Sequence, residues 1–145
     1  MLSGIAHVSF TVSDLEKSLY FYHDLLGFEL KTVVERSGPD VEGMTGFPGA
    51  KLKIGFLAFH HLTLELIQYI SPIGEKRDLR TNNVGCAHLA FHVKDMEEVY
   101  RFLSSKGVRF KSKPNQLREG PFAGGKTVYL NDPDGITLEL LQLRP

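Results

Sequence analysis

Two histidines and two glutamates occupy matching places in two halves of this chain. Shifting the sequence by 81 residues lays Ala6, His7, Phe10, Val12, Asp14, Glu16 and Phe21 on Ala87, His88, Phe91, Val93, Asp95, Glu97 and Phe102, identical at all seven positions. Farther along, Leu62-Thr63-Leu64-Glu65-Leu66 recurs as Ile136-Thr137-Leu138-Glu139-Leu140 at a shift of 74. Each half therefore runs from a His to a Glu. A single His on a strand ordinarily packs or meets water, and a single Glu in such a run ordinarily faces solvent. It is the duplication of both that singles them out. A carboxylate set mid-strand among Leu and Ile is costly to bury unless a charge, hydrogen bonds or a metal compensates it. Two neutral imidazoles and two carboxylates make a mixed N/O donor set suited to Zn²⁺, Ni²⁺, Co²⁺, Fe²⁺ or Mn²⁺, and octahedral coordination would leave two positions for water or substrate. A site left open in that way is a catalytic one.

The elements that must position these residues are legible from periodicity. Residues 5–12 alternate, with Ala6, Val8, Phe10 and Val12 on one face and Ile5, His7, Ser9 and Thr11 on the other, and residues 86–93 repeat the pattern with His88 and His92 on the second face. Asp14 and Asp95 then stand as helix N-caps; Leu15, Leu19, Tyr22 and Leu26 follow at helical spacing, as do Met96, Val99 and Leu103, and Gly27 and Gly107 mark the ends. The spacing makes Tyr20, Phe21 and Tyr22 core packing rather than a cofactor box. Strand-like runs follow at 28–36, 52–59 and 62–69, and again at 108–112, 126–130 and 136–143. Each module reads βαβββ. Asp132-Pro133-Asp134-Gly135 joins the last two strands as a hairpin, and His60-His61 is a weaker turn. In both final strands the leucines oppose the glutamate. If the leucine faces pack under the helices, His7, Glu65, His88 and Glu139 all project from the other side, and a sheet curling into a trough brings them together. His92 shares that face without a counterpart and reads as a neighbour of the site or a surface residue.

Length and composition narrow the function classes. One domain spanning 1–145 is expected, with module one at 1–70, a linker at 71–83 and module two at 84–145, because halves of this size bury little core independently. Seventeen basic residues balance seventeen acidic ones, so the chain lacks the positive footprint of a nucleic-acid binder. The most apolar stretch, 54–70, is interrupted by His60, His61, Glu65 and Gln68, so no membrane span is expected. A lone Cys86 and the absence of a secretory leader pattern point to the cytoplasm.

The run AHVSFTVSDLEKSLYFYHDLLGFEL, then LTLEL, then CAHLAFHVKDMEEVYRFLSSKGV and DPDGITLELLQ resembles the vicinal oxygen chelate superfamily of glyoxalases, epimerases, extradiol dioxygenases and fosfomycin and bleomycin resistance proteins, over nearly the whole chain. The resemblance implies an α+β fold in which two tandem βαβββ modules form an open eight-stranded mixed-sheet cup with the helices outside. It also implies one divalent metal ion, Ni²⁺, Co²⁺ or Zn²⁺ before Fe²⁺ or Mn²⁺, held by His7, Glu65, His88 and Glu139. The position of Glu65 is unused in the iron dioxygenases and tends to be Gln in the epimerases, so a Glu there points to lyase or isomerase chemistry. Two carboxylates neutralise the cation, which then holds an enediolate, while one of them takes a proton next to a carbonyl. Glu139 is the expected base and Glu65 the alternative. True lactoylglutathione lyases carry an Arg after the first helix and an Asn after the first glutamate for the glutathione carboxylates. Lys31 and Gln68 stand nearby in this chain and point away from glutathione.

Two Gly- and Pro-punctuated loops, 36–51 and 114–125, are expected to shape a pocket for a small-molecule substrate. Met44, Phe47 and Phe122 would form its apolar wall, and Arg118 or Lys126 would meet an anionic group. The alternatives are an Fe²⁺ extradiol-type dioxygenase and a drug-binding resistance-type protein. A homodimer is expected, with the modules completing a site either within a chain or between chains.

Overall fold

The computed structural model describes residues 1–144 as two units, Met1–Lys76 and from Arg77 onward. In the first unit β1 (Val8–Thr11) leads through helix α1 (Leu15–Leu19) to β2 (Glu29–Ser37), α2 (Pro39–Thr45), β3 (Lys51–Phe59) and β4 (Leu62–Ser71). The sheet order is β1-β4-β3-β2, with β1 parallel to β4 and the other pairs antiparallel. In the second unit β5 (His88–His92), α3 (Met96–Ser105), β6 (Arg109–Phe110), β7 (Asn115–Gln116), β8 (Lys126–Asn131) and β9 (Thr137–Gln142) give the order β5-β9-β8-β6, with β7 also on β8. The expected α+β fold is observed, each module's strands forming a sheet, of four and of five strands among the described residues, with one added two-residue pairing, β7, inside the 114–125 loop.

The helices sit where the leucine faces predict. Leu64, Leu66, Leu138 and Leu140 are buried, and Leu15 and Leu19 of α1 close over Gly55 on β3, where an added Cβ would come within 3.2 Å of Leu19 Cδ2. Each helix start is fastened by the same three devices. The side chains of Asp14 and Asp95 accept from Lys17 N and Glu98 N; Gln68 and Gln142 accept from Leu15 N (2.9 Å) and Met96 N (2.7 Å); Lys53 and Lys126 pair with Glu16 and Glu97 at 2.9 Å. A cap, a cross-sheet hydrogen bond and an ion pair on the first turn fix where each helix leaves its strand.

Two departures from the expected elements have local causes. After Leu19 the helix widens into a π-turn, Tyr20–Leu25, in which Leu26 N donates to Phe21 O. The extra residue in that turn brings adjacent Phe21 and Tyr22 both inward while Tyr20 stays exposed. The 36–51 segment, expected as a loop, holds α2, with Pro39 in its first turn and Gly46 closing it at φ 73°. Val41 of α2 packs with Ala50, Leu52 and Ile54 against Ile67 and Tyr69, so α2 covers part of the face that carries Glu65. The last hairpin turns as expected: Asp132 Oδ1 accepts from Asp134 N and Ile136 N, and Gly135 adopts φ 92°.

Candidate functional site

In the first unit β1 and β4 run parallel with Ser9 beside Glu65, and His7 stands just before β1 on the same side as Ser9. His7 Nδ1 lies 3.5 Å from Glu65 Oε1. In the second unit Ala90 is beside Glu139, His88 opens β5, and His88 Nε2 lies 3.1 Å from Glu139 Oε2. The sequence repeat is therefore a repeat of geometry: each unit presents one imidazole and one carboxylate on the sheet face opposite its leucines. The carboxylates are largely covered, at 16% and 18% side-chain exposure, whereas the imidazoles are open at 46% and 39%. An acid recessed among strand residues beside an accessible ring offers one oxygen and one nitrogen donor of the kind a borderline divalent cation takes. Within neither unit does a third His, Cys, Asp or Glu join the pair among the described residues.

The two pairs differ in what stands behind the acid. Thr127 Oγ1 of β8 lies 2.5 Å from Glu139 Oε1 and 3.1 Å from Leu140 O, and Tyr129, directly across from Glu139, packs its ring 5.2 Å from that of His88. Burial, reinforced by the charge of Glu139, holds the Tyr129 phenol above its ordinary pKa. In the first unit Phe56 stands across from Glu65, and Ile54 takes the place of Thr127. Thr127 and Tyr129 escaped the sequence reading although a signal existed: the Asp132–Gly135 turn fixes the register that sets Tyr129 opposite Glu139.

The expected pocket residues fare unequally. Lys126 is on the helix face of β8, opposite to that of Thr127 and Glu139, and its ammonium pairs with Glu97, so it does not stand beside the acid; strand alternation decides this. Gln68, three residues after Glu65, likewise turns to the helix side and caps Leu15, and Lys31 pairs with Glu29. Met44 is exposed on α2, while Phe47 packs edge-on against Tyr69 beside the α2 cluster. Phe122 lines a groove with Leu143 and Arg144, and Arg118 is exposed. His92 is exposed at the end of β5.

Residues 4–140 match the model of the Glyoxalase/Bleomycin resistance protein/Dioxygenase superfamily. The chain belongs to that superfamily. Among relatives of this glyoxalase-superfamily chain is a 2-epi-5-epi-valiolone epimerase from an Actinomyces species, 33% identical over 97% of the chain and 79% of the relative. A probable chloroplastic lactoylglutathione lyase of Arabidopsis thaliana is 28% identical over 96% of the chain, which spans 35% of that protein. The crystal structure of a glyoxalase family protein from Bacillus cereus shares the fold, with a TM-score of 0.86 at 20% identity over 100% of this chain and 97% of the other. Among the described residues no helix is long and apolar enough to cross a membrane.

Proposed function

We propose that this glyoxalase-superfamily protein is a divalent-metal-dependent lyase or isomerase that removes a proton next to a carbonyl of a small molecule. The observation that carries the reading is the twofold His–Glu pair, His7 with Glu65 and His88 with Glu139, each on the sheet face opposite its unit's buried leucines. The donor chemistry fits a borderline divalent cation, with two imidazole nitrogens and two carboxylates whose charges together match it. Each pair is half of the site, and the halves come from one chain or from two copies in a homodimer. When bound, the cation supplies Lewis acidity that polarises the substrate carbonyl and offsets the negative charge of the enediolate.

The protein's own part is to hold that charge and to move the proton. His7 and His88, the more open partners, bind and orient; the recessed carboxylates accept the proton and return it. What favours Glu65 over Glu139 as acceptor is freedom of movement. Glu139 is tied by Thr127 and His88, while Glu65 has its His7 contact at the longer distance and an Ile where the hydroxyl would be. The resemblance to both an epimerase and a lyase supports a proton-abstraction step.

The test is metal content by elemental analysis, followed by exchange of substrate C–H for deuterium in D₂O. Ni²⁺, Co²⁺ and Zn²⁺ forms are offered α-ketoaldehyde thiol adducts and epimerisable acyl thioesters. Metal-dependent exchange that fails in Glu65→Gln is expected. Oxygen consumption with catechols by an Fe²⁺ form would move the protein to the dioxygenases, and a folded chain that takes up no metal would make it a binding protein.

A further inference from the structure

Thr127 is where the two otherwise matching half-sites part. Its Oγ1 stands 2.5 Å from Glu139 Oε1 and 3.1 Å from Leu140 O, and a hydroxyl has one proton to give. The shorter, charge-assisted contact takes it. The other oxygen of the same carboxylate, Oε2, is the one beside His88 Nε2 at 3.1 Å. One oxygen of Glu139 is therefore held from behind by β8, and the other is turned to the histidine with which it would share a cation. Thr127 reaches this place because it lies two residues from Tyr129, the register partner of Glu139, on the same face of β8. At the corresponding place in the first unit is Ile54, a buried hydrocarbon packed under α2.

We infer that Thr127 is a positioning residue of the metal site: its hydroxyl fixes the rotamer of Glu139 and makes that carboxylate the stationary ligand, a role with no counterpart behind Glu65. The inference rests on the metal-site reading above. Hydrogen-bond partners behind a ligand ordinarily tune metal affinity by 10–100-fold. Thr127→Val is nearly isosteric and suits a strand, while Thr127→Ser keeps the hydroxyl and loses only a methyl.

The experiment titrates Co²⁺ into metal-free wild-type, Thr127→Val and Thr127→Ser proteins, reading heat of binding and the visible Co²⁺ absorption spectrum, with thermal melts of the metal-free forms alongside. About 10–100-fold weaker binding and an altered spectrum in Thr127→Val are expected, with both restored in Thr127→Ser. Wild-type affinity and spectrum in Thr127→Val overturn the inference and leave the metal site standing. So does a Thr127→Ser protein as impaired as Thr127→Val, since the hydroxyl would then not be the cause. Wild-type protein that takes up no Co²⁺ removes the metal site and this role together.

Discussion

At the scale of single residues, each His–Glu pair sets a hidden acid beside an accessible imidazole, and the two acids are not equivalent. Glu139 is held by a hydroxyl and a histidine, whereas Glu65 meets only the more distant imidazole among these contacts. This unequal support predicts a split between binding and turnover. Glu65→Gln is expected to lower kcat by about 10²–10⁴-fold, the range removed with a general base, while a bound metal is largely retained. His88→Ala removes a ligand from the better-braced pair and is expected to abolish stoichiometric metal uptake. Elemental analysis beside steady-state kinetics on both variants checks the split, and equal loss of metal from the two would refute it. The sequence made the four donors visible because they recur, yet it hid Thr127. A threonine in a strand is commonplace, and its meaning arises only when the register sets it behind Glu139.

At the scale of elements, the helix starts decide where the strands that carry the site are pinned. Gln68 and Gln142 reach from the sheet to the first free N–H of α1 and α3, so the strand bearing each glutamate is tied to the helix on the far side by a residue three positions on. Removing that acceptor leaves a part-buried helix N–H unsatisfied. Gln68→Ala and Gln142→Ala are each expected to cost about 1 kcal/mol, read by denaturant unfolding. Gly125→Ala is expected to cost more, about 1–3 kcal/mol by the usual scale of overpacking, because a Cβ there would meet the backbone oxygen of Gln142 at 2.4 Å just before β8, and a backbone atom cannot swing aside. An unfolding curve unchanged from wild type would contradict it. Most of this layer was readable: strand alternation and the Asp14 and Asp95 caps are local signals, and both caps are observed. What escaped was non-local or disguised. The glutamine bonds span 53 and 46 residues, and α2 hides because its framing Gly38, Pro39 and Gly46 resemble loop punctuation. The segment joining the units carries its own pH-sensitive hook: the Arg80 side chain holds the Asp78 carboxyl down at about 2. A depressed carboxylate contributes above its unfolded pKa and is lost as pH falls through the folded value, so the hook should release between about pH 4 and pH 2. NMR titration of Asp78 in wild type and Arg80→Ala checks this, with the midpoint rising toward 3.8 in the variant.

At the scale of the whole molecule, duplication has given each unit the same core strand order, the same helix fastening and one His–Glu pair, with no third His, Cys, Asp or Glu beside either pair among the described residues. Two donors hold a divalent ion weakly, so under the metal-site proposal above an ion would need two such pairs, and its binding would then stabilise whatever carries both. Whatever binds the folded state alone stabilises it by RT ln(1 + [L]/Kd), about 2.7 kcal/mol at a hundredfold excess over Kd. For a chain of this length that corresponds to a Tm about 5–10 °C higher than in chelator. If the proposed metal site takes one pair from each unit, the rise should belong to both at once. His7→Ala in the first unit and His88→Ala in the second are each expected to abolish the increment while leaving the metal-free Tm within a few degrees of wild type, because both rings are open to solvent and neither is part of the core. Differential scanning calorimetry with and without Ni²⁺ measures this directly. An increment that survived either substitution would mean that one pair binds the ion unaided, and the duplicated halves would then be two separate sites rather than the parts of one.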